Sequence, residues 1–504
     1  PCVIAYGGQI FDNTLARVKG QVSRNAKKKK WKFSLPAGHE LAAPGLLPVP
    51  VDEFALHSSA TDKSFIRETL SSELLTAAGV LGTQQIFPTR LEKNGEFYGL
   101  YSYVEQPDGS WRDRFGYRDD NAIIYEGGSK SPGVVMGLAD ASLSTARLHV
   151  RYDKETREWE DDSELRTLIT KINRLKGTAR HAWLADHVDI PQVINALAAV
   201  QLIQHHDFGH KNYRLVLGSS GRWQLIPSDF DLTFGRTYDG ARNSSYGDTV
   251  AAGVYLPWAA GNRLASVVWN DPLFRAMFDR RVRTLTDQLL GPEPTESRVN
   301  ELVAALATDA ALDRIAWGTY KEPQPPAAAA DEIVTAYLPF RRIRIVSFLV
   351  VRGMIPPVQS ATPAVTISAV QPAPAGGAPE WIDIANPTNR AVDLSGWRIQ
   401  GIDFEVPPGV VVPAGGHLRF VDDITDDTDA SLGGAFVAAE YGGHLDDAYG
   451  NLRLISANGD PIDSFTYGSP PVPAPLVVVN EINAVADANL PGTAPDPFWG
   501  TVPT

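Results

Sequence analysis

The stretch "AVQLIQHHDFGHKNYRLVLGSSGRWQLIPSDFDLTFGR", residues 199–236, decides how this chain folds and what it can do. It holds His205, His206 and His210, the aspartates Asp207, Asp229 and Asp231, and Asn212. The run leading into it, "DIPQVINALAAVQLI" (189–203), is apolar and predicts a helix, with Asp189 as N-cap and Pro191 in the first turn. "YRLVL" (213–217), the turn "GSSGR" and "WQLIP" (223–227) then predict a hairpin. The order is helix, polar loop, strand, strand, acidic pair. The hairpin therefore returns Asp229 and Asp231 to the loop that carries Asp207 and Asn212.

Three uses of such a cluster compete. The first is phosphoryl transfer. One aspartate orients a hydroxyl and accepts its proton, while an asparagine a short loop away and an aspartate beyond the hairpin hold a divalent ion on nucleotide phosphates. Asp207 and Asn212 stand as D-x4-N, and "DFD" (229–231) stands where protein kinases have Asp-Phe-Gly. Mg2+ takes oxygen ligands and needs only one or two carboxylates beside the phosphates. The second use is a metal hydrolase built on His205, His206, Asp207 and His210. Adjacent histidines diverge on a regular backbone, and no glutamate is offset as in H-E-x-x-H, which weighs against it. The third is a purely structural loop, whose histidines cap a helix end and satisfy carbonyls.

The N-terminal part offers what a nucleotide site would need. "RNAKKKKWKF" (24–33) puts several lysines at the start of a strand, and a strand lysine is the usual partner of nucleotide phosphates, although a lysine run is more often a solvated face. "DKSFIRETLSSELLTAAGV" (62–80) predicts an amphipathic helix that carries Glu68 and Glu73, either of which could pair with such a lysine or remain a surface charge. "QIFPTRLEKNGEFYGLYSYVEQ" (85–106) predicts a hairpin turning at Asn94-Gly95, where both residues need φ > 0. It ends at Glu105-Gln106, where a kinase chain crosses between lobes and its backbone meets adenine. Neither G-x-G-x-x-G nor G-x-x-x-x-G-K-[ST] is present, so any kinase here is atypical.

The whole chain bounds these choices. Its 504 residues imply two to four units. A net charge of −13 argues against bulk nucleic-acid binding, and the single cysteine, Cys2, allows no internal disulfide. No apolar run is long enough to span a membrane. Residues 160–355 look mostly helical. Composition then shifts to a Pro/Ala-rich linker that merges into a first strand (356–379), followed by short strands between turns over 380–469, as in a small β-sandwich. "PPVPAP" (470–475) reads as a second linker. The chain starts at Pro1 and stops soon after a new strand begins, so a fragment of a longer protein is expected.

Residues 1–355 resemble the CotH kinase family of atypical secreted or spore-coat protein kinases. The likeness rests on "VKGQVSRNAKKKKWKF", "LEKNGEFYGLYSYVEQPD", "AIIYEGG" (122–128), "HHDFGHKNYRLVL" and "GRWQLIPSDFDLTFG". Ser228 stands where the family has Trp, and Lys19-Gly20-Gln21-Val22-Ser23 stands for a segment nearer to Arg-Gly-Asn-x-Ser. The resemblance implies an α+β, two-lobed kinase-like domain that uses ATP with Mg2+ or Mn2+ to phosphorylate serine on secreted, surface or coat proteins. Carried over by position, Asp207 is the catalytic acidic residue, Asn212 binds metal, and Asp229 or Asp231 holds the second metal position. Lys28 is the first choice to contact ATP, with Lys29 and Lys30 as alternatives; Glu73, Glu105 and Gln106 complete the expected nucleotide site. Residues 380–420, "EWIDIANPTNRAVDLSGWRI" and "VPPGVVVPAGGHLRF", resemble a lamin-tail domain, which implies an immunoglobulin-like sandwich with Trp381 and Trp397 in or near its core. "VVVNEINAV" (477–485) looks like the first strand of a second repeat (476–504). The tail is expected to bind a partner or act as a spacer. The alternatives are an inactive, pseudokinase-like surface protein and the histidine-based hydrolase.

Overall fold

A computed structural model describes residues 1–20, 22–117, 121–128, 137–139, 144–209, 211–236, 262–291, 293–319, 321, 323–424 and 436–470. His210, the 471–475 part of the second linker and the expected second repeat (476–504) lie outside the described residues.

The first lobe is one antiparallel sheet and one helix. Its strands are β1 (Cys2–Tyr6), β2 (Gln9–Lys19), β3 (Lys30–Ser34), β4 (Glu53–His57), β5 (Ile86–Lys93) and β6 (Glu96–Glu105), in the order β1-β2-β3-β4-β6-β5. The β5–β6 hairpin turns at Asn94 (φ 55°) and Gly95 (φ 83°), the left-handed pair that the dipeptide anticipates. Helix α1 (Arg67–Ala77) is shorter than its amphipathic pattern suggests, because Asp62 takes over the N-terminal residues. Asp62 accepts from the backbone of Ser64 (2.9 Å) and Arg67 (2.8 Å) and from the Arg67 guanidinium (2.7 Å).

The second lobe holds α2 (Gly109–Phe115), α3 (Thr145–Arg151), α4 (Ser163–Arg174), α5 (Gly177–His187), α6 (Ile190–Leu202), α7 (Arg263–Asn270), α8 (Pro272–Leu289) and α9 (Pro294–Trp317). Beside its helices it has a sheet that takes in the anticipated hairpin. A four-stranded sheet, β7 (Ile123–Gly127), β8 (Tyr152–Lys154), β9 (Tyr213–Leu217) and β10 (Trp223–Pro227), runs in the order β10-β9-β7-β8. Every residue of α6 is buried, so this helix is the axis of the lobe rather than a surface element. Asp189 caps it by accepting from the Gln192 N–H (3.1 Å). The expected helix 330–352 is interrupted by two π-turn segments, Ile333–Tyr337 and Arg344–Leu349; Pro339 lies between them and has no N–H to donate to a regular ladder.

Of the described residues, 366–424 and 436–468 form the all-β tail, with two four-stranded sheets and one two-stranded sheet around a core that includes Trp397, Ile382, Ile384, Phe404 and Phe420. Trp397 is buried; Trp381 lies at the edge, under the Arg419 guanidinium (3.7 Å). The tail is packed against the second lobe. Arg281 of α8 donates to Asp393 (3.1 Å), to Asn195 of α6 (2.8 Å) and to the Ala78 carbonyl (3.1 Å). The stretch from 356 onward is part of this contact: Gln359 exchanges two hydrogen bonds with the backbone of Asp393 (2.8 and 2.9 Å).

Candidate active site

Two loops make the floor of the site. One follows α6 and runs through 203–212; the other follows β10 and runs through 228–234. Backbone bonds tie them together: His206 N–H to Leu232 C=O (2.8 Å), Phe234 N–H to Ile203 C=O (2.8 Å) and Ser228 N–H to Asn212 C=O (3.0 Å). Fully buried His205 adds a ring-nitrogen contact to the Ser228 carbonyl (3.0 Å) and packs edge-on against Phe230. Gln204, Asn212, Asp229 and Phe234 all have positive φ, between 49° and 62°. Four non-glycine residues in that region cost energy, and such strain gathers where side chains must be aimed.

The first lobe supplies the roof. Lys19 pairs with Lys30 across β2–β3, His57 pairs with Ser102 across β4–β6, and the Trp31–Leu56 pair places Lys30 and His57 next in register. Two lysines opposite one another repel. Each finds its own acceptor. Lys19 donates to Gln106 Oε1 (2.9 Å), while Lys30 reaches across the cleft to Asp229 (3.5 Å) and Asp231 (3.8 Å). The Lys30 side chain is only 13% exposed. Thr61 donates to Asp231 (2.9 Å), a second bond from the first lobe to the acidic pair. Arg67, at the start of α1, donates to the Thr233 carbonyl (3.1 Å) and so sets the height of the helix over the 228–234 loop.

The expected site residues separate into two groups. Asp207, Asn212, Asp229, Asp231 and Lys30 come together. Asn212 donates its amide to Asp207 Oδ2 (3.1 Å), and Lys211 pairs with the same oxygen (2.6 Å). Lys28 lies elsewhere: it is buried against the Tyr101 ring and pairs with Asp313 of α9 (2.6 Å). Lys29 is half-buried and donates to the Arg24 carbonyl (2.6 Å). Glu73 points to the outer side of α1 and pairs with Arg298 (2.7 Å). Glu105 is buried against Arg114 and accepts from the Gln85 N–H (2.8 Å). Gln106 meets Lys19, which the sequence argument did not count as a site residue. Glu68, not Glu73, faces inward, and its partner is the imidazole of His57 (2.6 Å). Nothing in the sequence separated Glu68 from Glu73, and nothing marked His57.

The electrostatics of the acidic pair are uneven. Burial opposes ionisation of Asp229, but Lys30, His57 and Lys211 overcome it and hold this carboxyl well below the usual range. Burial, with Asp229 beside it, pushes Asp231 up to about 7. Lys30 is desolvated, yet Asp229, Asp231 and Glu68 keep its ammonium above the usual lysine value. Burial lowers Lys19 to about 8. Asp229 is thus the fixed anion, and Asp231 is the group that can carry a proton. Asn212 uses its amide N–H on Asp207, so its carbonyl oxygen is the atom it has left to offer a cation. These are hard oxygen donors of the kind Mg2+ takes. Among the described residues, His205 and His206 belong to no group of three potential metal ligands.

A two-lobed α+β domain with this cleft, joined to an all-β sandwich, is an atypical kinase-like protein with an immunoglobulin-like tail. Residues 16–342 match the family model described as CotH kinase protein, and residues 358–469 match the Lamin Tail Domain. The first match takes in well over half of the chain, which therefore belongs to the CotH kinase protein family. Inner spore coat protein H of Bacillus subtilis (strain 168) is 26% identical over 300 residues, 59% of this chain and 78% of that protein. No helix among the described residues is long and apolar enough to cross a membrane.

Proposed function

We propose that this chain is an ATP-dependent protein kinase that phosphorylates serine. The observation that carries this is the bridge across the cleft: Lys30 on β3 meets Asp229 and Asp231, beside the loop on which Asp207 and Asn212 are held together. Lys30 and Lys19 would hold phosphate oxygens, with Gln106 and the end of β6 at the base end of the nucleotide. Asp229 and Asn212 would hold Mg2+ or Mn2+, which neutralises charge on the phosphates when bound. Asp231 anchors the acidic loop to the first lobe through Thr61. Asp207 orients the serine hydroxyl and accepts its proton. Lys211 pairs with Asp207 (2.6 Å), and although burial opposes its charge, Asp207 holds its ammonium above the usual lysine value. Catalysis of this kind is positioning with charge stabilisation.

The relative's place in a spore coat, and the lamin-tail domain, suit a protein that works on coat, surface or secreted proteins, with the tail as a spacer or partner-binding module. Titration of ATP with Mg2+ tests the site: binding should need the metal and be lost in Asp229→Ala. Asp207→Asn should keep ATP binding and lose phosphoryl transfer by on the order of 100-fold or more. A second reading, an inactive surface protein, draws on the pairing of Glu68 with His57 instead of Lys30. No ATP binding by the wild type, with or without metal, would favour it.

A further inference from the structure

The His57–Glu68 pair is not needed to explain nucleotide binding, and it is incomplete as a structural pair. His57 is 6% and Glu68 2% exposed. One oxygen of Glu68 accepts from His57, while the other, Oε2, is buried with no hydrogen-bond partner among the described residues. A buried carboxylate oxygen without a partner is costly, and native chains rarely leave one. Asp229 completes the group: one ring nitrogen of His57, one oxygen of Glu68 and one oxygen of Asp229 lie within 4.8 Å of one another.

Charge points the same way. Lys30 is shared between Asp229 (3.5 Å) and Asp231 (3.8 Å), while the ion pair that Glu68 makes among the described residues is with His57. An imidazole has one ring nitrogen whose lone pair can bind a metal while the other keeps its proton. A dication would use that lone pair and satisfy Glu68 Oε2. One nitrogen with two carboxylates suits Mn2+, Zn2+ or a similar ion better than Mg2+, which prefers oxygen alone.

We propose that His57, Glu68 and Asp229 form a transition-metal site that takes Mn2+ or a like divalent ion in the absence of nucleotide. It shares Asp229 with the proposed nucleotide site but rests on these three side chains and not on phosphoryl transfer. The ion would tie β4 and α1 of the first lobe to the acidic loop of the second.

The test is to titrate Mn2+ into the full chain without nucleotide. Electron paramagnetic resonance counts the free ion, and pulsed measurement reads coupling to a directly bound nitrogen. Nitrogen coupling is expected in the wild type and in His444→Ala, which removes the histidine of the only other such group among the described residues, Glu380–Asp422–His444. It should vanish in His57→Ala. Affinity should fall by at least about 10-fold in Asp229→Asn, which leaves the buried pair intact and so guards against simple misfolding. The proposal is overturned by no Mn2+ binding without nucleotide, by nitrogen coupling that survives His57→Ala, or by unchanged affinity in Asp229→Asn. A separate ATP titration in Mg2+ keeps the two proposals apart. Mn2+ bound with nitrogen coupling but no ATP binding would retain this site and end the kinase reading; the reverse would do the opposite.

Discussion

The cleft and the junction between the second lobe and the tail both bury charge, but they treat it differently. At the junction, Arg281 spends its donors on Asp393, Asn195 and the Ala78 carbonyl, and both partners of the ion pair are at most 3% exposed. Around Arg281, donors and acceptors are matched. In the cleft, Lys30 faces more carboxylate than it can neutralise, Asp231 is pushed up to about 7, and Glu68 keeps an unsatisfied oxygen. A charge that is fully matched holds a fold together. A surplus held in place by the surrounding structure is a site waiting for a ligand of opposite sign. The same contrast separates two lysines only two positions apart, Lys28 with one carboxylate, Asp313, and Lys30 with two, Asp229 and Asp231.

That contrast can be broken most sharply at the lysines. Lys30→Met should lower phosphoryl transfer by on the order of 100-fold or more and leave thermal stability near the wild-type value. Lys28→Met should do the reverse, leaving Asp313 buried without its cation at a cost of about 3–5 kcal/mol in denaturant unfolding, with ATP affinity per folded molecule unchanged. If both variants behave alike, the division between structural and functional lysine is wrong.

Asp393→Ala probes the junction in the same way. Arg281 would lose its counter-charge, and a loss of about 3–5 kcal/mol is expected, with the second lobe and tail failing together if they melt as one unit. Two separate calorimetric transitions in the wild type would show instead that the junction is a loose contact. A smaller effect, about 1–3 kcal/mol, is expected for Gly409→Ala. A Cβ there would come within 2.1 Å of the Pro191 carbonyl oxygen, and the backbone has φ +90°. Increased cleavage near residue 356 by a protease would report the opening of this contact.

The smallest effect is a slope. Asp231 has a folded-state value of about 7, above the about 4 expected when unfolded. Between those values the folded chain holds the extra proton, so this group makes stability fall as pH rises from about 4 to 7. Asp229, depressed on folding, works in the opposite sense: its contribution is present above about 4 and is lost as pH falls further. Asp231→Asn should therefore flatten the decline in melting temperature between pH 5 and 8. An unchanged decline would place the titrating group elsewhere.

Much of this was legible in the linear chain because the motifs that matter are local. Asp189 and Pro191 start α6, Asn94-Gly95 turns the β5–β6 hairpin, and the strand–turn–strand after Asn212 brings Asp229 back to Asp207 by its length alone. The shift to short strands after residue 380 announced the tail. Identity of the contacting lysine was not legible. Four consecutive lysines differ only in where β3 begins, and that depends on pairing with β2 and β4. Nor could composition show that the Pro/Ala-rich stretch is pinned, since its anchor, Gln359 to Asp393, joins residues that only packing brings together.

The sequence by itself determined which elements form and which carboxylates share a loop, because caps, turns and short hairpins are set by neighbours a few residues apart. Only the tertiary structure decided that Lys30 rather than Lys28 crosses the cleft, that Glu68 turns inward to His57, and that the tail packs against α6 and α8. Those choices depend on register between distant strands and on which buried charge finds a partner, and both are settled by long-range packing.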